Sequence, residues 1–177
     1  MSVFSEQLDM FIRLCVVYVL MLVLFALNTI SLSFPLTGSV EMPLVIMAIY
    51  YWSVYRPTIV PLWFVFAAGI LLDLLSGLPV GLNAFIFITI RLLILDQRLF
   101  LTGQHFLTVW LGFIGVCAAA MSVQWILFGL IHWHWTPFQP MLVMIVLGIF
   151  LFPVVSVLLH LTHRLLPMLQ NQYSAVK

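Results

Sequence analysis

The chain has 177 residues, of which 65% are hydrophobic and 6% are charged, with six Lys and Arg against five Asp and Glu. A soluble domain carries roughly 25% charged residues and a disordered chain is poor in apolar ones, so both classes are excluded. The lack of a basic cluster excludes a nucleic-acid binder, and long unbroken apolar runs replace the alternation of a membrane β-barrel.

What remains is an all-α polytopic membrane protein. A span takes about 20 residues, so six transmembrane helices would fill the chain as a single domain over residues 1–177, with no soluble domain. Residues 10–30 are too long an apolar run for a signal peptide and no small-x-small cleavage site follows, which predicts a retained first span. Ser, Thr, Pro35 and Gly38 mark residues 31–41 as a loop. Residues 43–55, opened by Pro43, form a second run whose length suits a core or interfacial helix better than a full crossing. Arg56-Pro57 closes it. Residues 58–76 form the third run and carry Asp73, and Ser76-Gly77-Leu78-Pro79 is a turn. Residues 82–97 form the fourth, ended on a polar face by Arg91, Asp96 and Arg98. Residues 106–131 form the fifth and residues 141–162 the sixth, the latter with Pro153 inside it. His132-Trp133-His134-Trp135, between these two, reads as an interfacial aromatic belt.

Basic residues stay on the cytoplasmic side. With six spans and a cytoplasmic N-terminus, Arg13, Arg56, Arg91, Arg98, Arg164 and Lys177 all fall there, which puts both termini on the cytoplasmic side. A five-span arrangement, with the short second run not crossing and the N-terminus outside, misplaces Arg13 alone, so the choice of six spans rests on that arginine.

Asp73 is the one acid well inside an apolar run. Gly69, Asp73 and Gly77 recur at i, i+4 and i+8 and share a helix face that lets another backbone approach. The acid either serves a substrate or proton, or bonds loop N–H groups or a partner helix and fixes the turn. Gly77 and Gly81 can take positive φ, and Asn83 can cap the next helix. Cys15 and Cys117 lie inside apolar runs and read as small buried hydrophobes. The histidine pairs His132/His134 and His160/His163 lack an accompanying carboxylate or thiol, so no metal and no cofactor is expected. Ser76 has no histidine near it in sequence and makes no nucleophilic pair. In the fifth run Gly115, Ala119 and the pair Ala118/Ser122 give small-xxx-small spacing, for packing within the fold or for a partner's span.

From Pro43 onward, the order Pro43, Tyr51-Trp52, Arg56-Pro57 and then Gly69-Ile70-Leu71-Leu72-Asp73-Leu74-Leu75-Ser76-Gly77-Leu78-Pro79-Val80-Gly81-Leu82-Asn83-Ala84 resembles the rod shape-determining MreD family. Its motif, G-x-x-x-D-x-x-S-G-x-x-x-G, falls on Gly69, Asp73, Ser76, Gly77 and Gly81. The resemblance implies a non-enzymatic protein of the bacterial cell-elongation (peptidoglycan synthesis) machinery. Its partners would be an MreC-like bitopic protein, a RodA-type glycosyltransferase, a class B penicillin-binding protein and actin-like MreB. It also implies a fold similar to the S components of ECF vitamin transporters.

Three functions follow as expectations. The first is a membrane scaffold that packs with partner transmembrane helices, or with a second copy of itself, through Gly69 or through Gly115 and Ala119. The alternative is a small-molecule, vitamin-like binding subunit of a transporter. An intramembrane enzyme is disfavoured, because one carboxylate without a partner base, metal or nucleophile is a poor catalytic set.

Overall fold

A computed structural model describes the backbone of residues 2–34, 38–133 and 137–165, and the side chains of residues 14–30, 40–133 and 137–162. Pro35, His134, Trp135 and Lys177 lie outside the described residues, as do the side chains of Arg13, His163 and Arg164. Six helices and a two-stranded hairpin are described: α1 Ser2–Asn28, β1 Ser31–Phe34, β2 Gly38–Glu41, α2 Leu44–Tyr55, α3 Leu62–Ser76, α4 Leu82–Thr102, α5 Phe106–His132 and α6 Gln139–Leu165. Of these, α5 and the Gln139–Thr162 part of α6 are long and apolar enough to cross a membrane.

The expected loop at residues 31–41 is an antiparallel hairpin, with Ser31 opposite Glu41 and Leu32 opposite Val40. Ser31-Leu32-Ser33-Phe34 alternates polar and apolar residues, which suits a half-buried strand, and Val40 is buried. Third-run residues Thr58 to Val60 are not helical. They form a turn in which the Ile59 N–H donates to the Arg56 carbonyl at 3.1 Å, and Pro61 then starts α3.

The second run is the centre of the molecule. Every residue of α2 from Leu44 to Val54 is buried, because α4, α6 and α1 pack around it. A helix apolar all round has no face to offer water and belongs in a core. At 12 residues it spans about 18 Å. Its aromatic residues tie the neighbours together. The Tyr50 hydroxyl donates to the Val109 carbonyl of α5 at 2.9 Å. The Tyr50 ring stands edge-on to Phe113 and Phe152, which stack with centroids 4.1 Å apart. Gly112 makes room for it, since a Cβ there would meet the Tyr50 hydroxyl at 2.7 Å.

Two sequence readings are corrected. Arg91 does not end a helix, because α4 continues to Thr102. Arg91 is instead buried at 7% exposure and donates from Nη2 to the Pro57 carbonyl at 3.0 Å, so its long stem carries the charge toward the α2–α3 turn. Cys15 is exposed on the outer face of α1, whereas Cys117 is buried, with its sulfur against Gly148 of α6.

Pro153 removes one backbone donor from the interior of α6. The carbonyl it leaves unpaired, that of Ile149, accepts the Trp110 indole N–H from α5 at 3.1 Å. We expect Trp110→Phe to cost about 1–3 kcal/mol by orphaning this acceptor. In the Pro153→Ala background, where the helix supplies its own donor, the same change should cost much less. Thermal unfolding of the four proteins in detergent checks this, and an equal cost in both backgrounds would rule the account out.

Candidate functional site

The motif residues meet where α3 turns into α4. Gly77 ends α3 at φ 66°, and its N–H bonds back to the Asp73 carbonyl. The Leu78 N–H donates to that carbonyl as well, at 3.0 Å, which completes a Schellman-type stop. Gly81, at φ 100°, begins α4 and has no side chain with which to cap it. The first N–H groups of a helix lack partners inside it, and the Asp73 carboxylate supplies them. Oδ2 accepts the Gly81 N–H at 2.8 Å and Oδ1 accepts the Asn83 N–H at 3.0 Å. Asp73 is fully buried, and the positive end of the α4 dipole lies on its carboxylate.

Four residues before Asp73, α3 and α4 touch through their backbones. A Cβ built on Gly69 would fall on the Cα and N of Ala84. Gly69 is therefore enclosed within the chain, and it offers no face to a partner helix. The expectation of a partner contact at Gly69 is corrected, because Ala84 of α4 already occupies the space in front of it.

The same device recurs one hairpin earlier. Pro43 starts α2 without a side-chain cap, and the Asn28 Oδ1 at the end of α1 accepts the Val45 N–H at 3.1 Å. The hairpin then joins the two junctions. Ser76 donates from its hydroxyl to Glu41 Oε2 at 3.3 Å. Glu41 is half-buried, and desolvation pushes its carboxyl above the ordinary 4.5, opposed by the Ser76 hydrogen bond. Asn28, Glu41, Asn83 and Gln124 of α5 face a chamber of 20 Å³ beneath them, about the size of one water molecule. Sequence reasoning missed Asn28 and Glu41. Their signals were faint: a lone amide at the end of an apolar run, and an acid two residues before the proline that opens a helix.

The other expected residues lie elsewhere. Gly115 and Ala119 are exposed on α5, and a Cβ at Gly115 meets nothing. They line an apolar groove of 410 Å³ between α4 and α5, with Phe85, Thr89 and Leu93 on the other side. His132 is exposed, stacks on Phe128 and lies with Nδ1 3.1 Å from the Phe128 carbonyl. Among the described residues no three His, Cys, Asp or Glu side chains come together as metal ligands.

The family model for the rod shape-determining protein MreD matches residues 9–162, a stretch that contains both capped junctions and all of α2 to α5. The chain belongs to the MreD family. No curated protein and no solved structure matches it. Membership of MreD brings a membrane-associated role in rod shape determination, and the family is a shape-determining one not known for catalysis. The Gly69-to-Gly81 motif of this MreD chain is occupied in holding α3 against α4, with Asp73 as the shared cap.

Asp73→Ala removes both acceptors and should lower stability by about 1–2 kcal/mol, near the upper range for a lost cap. Asp73→Asn keeps one acceptor oxygen and should lose less, while Gly69→Ala should be the most damaging of the three. Unfolding midpoints in detergent test that order. The folded state favours protonated Glu41, so its contribution to stability is greatest below about pH 4.5 and falls as pH rises through the raised value. Glu41→Gln, which stays neutral, should remove the part of the midpoint's fall that sets in as pH rises above the ordinary 4.5; an unchanged slope would count against this assignment.

Proposed function

We propose that this protein is a non-enzymatic membrane scaffold of the bacterial cell-elongation complex. In this reading its six helices cross the inner membrane, as in the S components that the family resembles, with both termini cytoplasmic. The hairpin and the α3–α4 junction then lie outside, with Glu41 and Asp73, and Arg56, Arg91 and Arg98 lie toward the inside. The partners are an MreC-like bitopic protein, a RodA-type glycosyltransferase, a class B penicillin-binding protein and actin-like MreB.

One observation carries the reading. The motif glycine Gly69 is consumed by internal packing, whereas Gly115 and Ala119 face an open apolar groove between α4 and α5. Lipid does not drive helices together by the hydrophobic effect. Association depends on close packing and on interhelical hydrogen bonds of about 0.6 kcal/mol each. Small exposed residues facing a groove are what a partner's single span needs in order to approach. The transporter reading has less support, because the chamber beside Asp73 has 20 Å³ of room, far below the roughly 300 Å³ at which small-molecule sites begin.

Gly115→Leu and Ala119→Leu should fill the groove and sharply reduce recovery of the bitopic partner, with the unfolding midpoint unchanged. Ala68→Leu, in the separate groove between α1 and α3, serves as the comparator and should recover partner normally. Depletion of the protein should round up rod cells, and no vitamin should rescue them. Wild-type recovery by both α5 variants would remove the α4–α5 groove as the contact.

A further inference from the structure

The chamber beneath the two capped junctions has apolar walls from Leu72, Phe87, Met121 and Met144. Four polar side chains from four elements complete its lining: Asn28 of α1, Glu41 of β2, Asn83 of α4 and Gln124 of α5. Asn28 and Asn83 are each only 4% exposed, so the chamber is where their amides face. The Asn28 Oδ1 is taken by the Val45 N–H at 3.1 Å, which leaves the amide NH2 as its free group. The Asn83 backbone N–H is taken by Asp73. Its side-chain amide has no hydrogen-bond partner among the described residues, and neither has that of Gln124. Glu41 holds Ser76 with Oε2, and its Oε1 has no partner among the described residues.

None of these four groups bonds another, although they stand around one small space. Buried polar groups left in that condition are costly. The set itself defines what satisfies it. The Asn28 NH2 group can only donate, which disfavours a cation, and the Glu41 carboxylate accepts, which disfavours an anion. The amides of Asn83 and Gln124 can do either. A neutral molecule that both donates and accepts meets all four. The 20 Å³ of room admits one water, which needs about 10–15 Å³ and two to four polar partners, and nothing larger. We infer that a single water molecule is bound here, accepting from Asn28 and donating to Glu41, and that through Asn83 and Gln124 it joins α5 to the capped starts of α2 and α4. The direct caps tie α1 to α2 and α3 to α4, and the water carries the same polar network on to the helix that bears Gly115 and Ala119. The inference rests on the fold and is independent of the scaffold reading.

The test is a crystal structure of the full chain at a resolution that shows ordered water. One peak should lie in the chamber, at about 2.7–3.2 Å from Asn28 Nδ2, Glu41 Oε1 and the amides of Asn83 and Gln124. Direct hydrogen bonds among these side chains, with no peak between them, would overturn the site. Crystals grown with rubidium chloride in place of sodium chloride should give no anomalous signal at that position; a signal would mark a cation and overturn the water. A second measurement tests the link to α5. Asn83→Leu keeps the backbone N–H that Asp73 caps, and Gln124→Met keeps the length of the side chain. Each should lower the unfolding midpoint in detergent, and the two together should lower it by less than the sum of the single shifts, because either change alone already strips the bridge of partners. Strictly additive shifts, or a peak out of reach of Gln124, would overturn the link between α5 and the caps.

Discussion

Oxygen atoms borrowed from neighbouring helices hold the starts of α2 and α4, and the remaining geometry follows from them. Pro43 and Gly81 can offer no capping side chain, so the first N–H groups of α2 and α4 need acceptors from elsewhere in the chain. Asn28 bonds the start of α2, and Asp73 bonds the start of α4. In each case the acceptor comes from the helix that runs up to the turn, so each cap also fixes where two helices meet. Four of the six described helices form two such units, α1–α2 and α3–α4, linked by the Ser76–Glu41 hydrogen bond.

Within that frame, α2 serves as the axle. Its packing does not depend on amphipathic sorting, since it is apolar on every side. Polar tips on otherwise apolar rings give it direction: the Tyr50 hydroxyl finds a backbone carbonyl on α5. At the same level of organisation, Trp110 repairs the gap that Pro153 makes in α6. After these internal needs are met, an apolar groove stays open between α4 and α5, at Gly115 and Ala119.

Much of this could be read from residue order, because long apolar runs announce helices and glycines with a lone acid announce a junction. Asp73 stood out for that reason, and so did the turn from Gly77 to Gly81. Other features stayed hidden because their causes are distant in sequence. Glu41 meets Ser76 across 35 residues, and Asn28 meets Val45 across 17. The hairpin escaped notice because four residues of alternation are short beside the serine, proline and glycine around them. Arg91 was misplaced because charge suggested a helix end, while its long stem allows a buried position with the head directed at Pro57. The burial of Gly69 needed the position of Ala84 in space, which no local pattern supplies.

The shortness of α2 also bears on how the chain comes to be made. Twelve apolar residues fall below the length of about 17 that a bilayer accepts as an independent crossing. In the six-span reading such a segment would gain little by leaving the translocation channel alone, and would become stable once α1, α4 and α6 can close around it, so the centre of the protein would settle after the helices that enclose it.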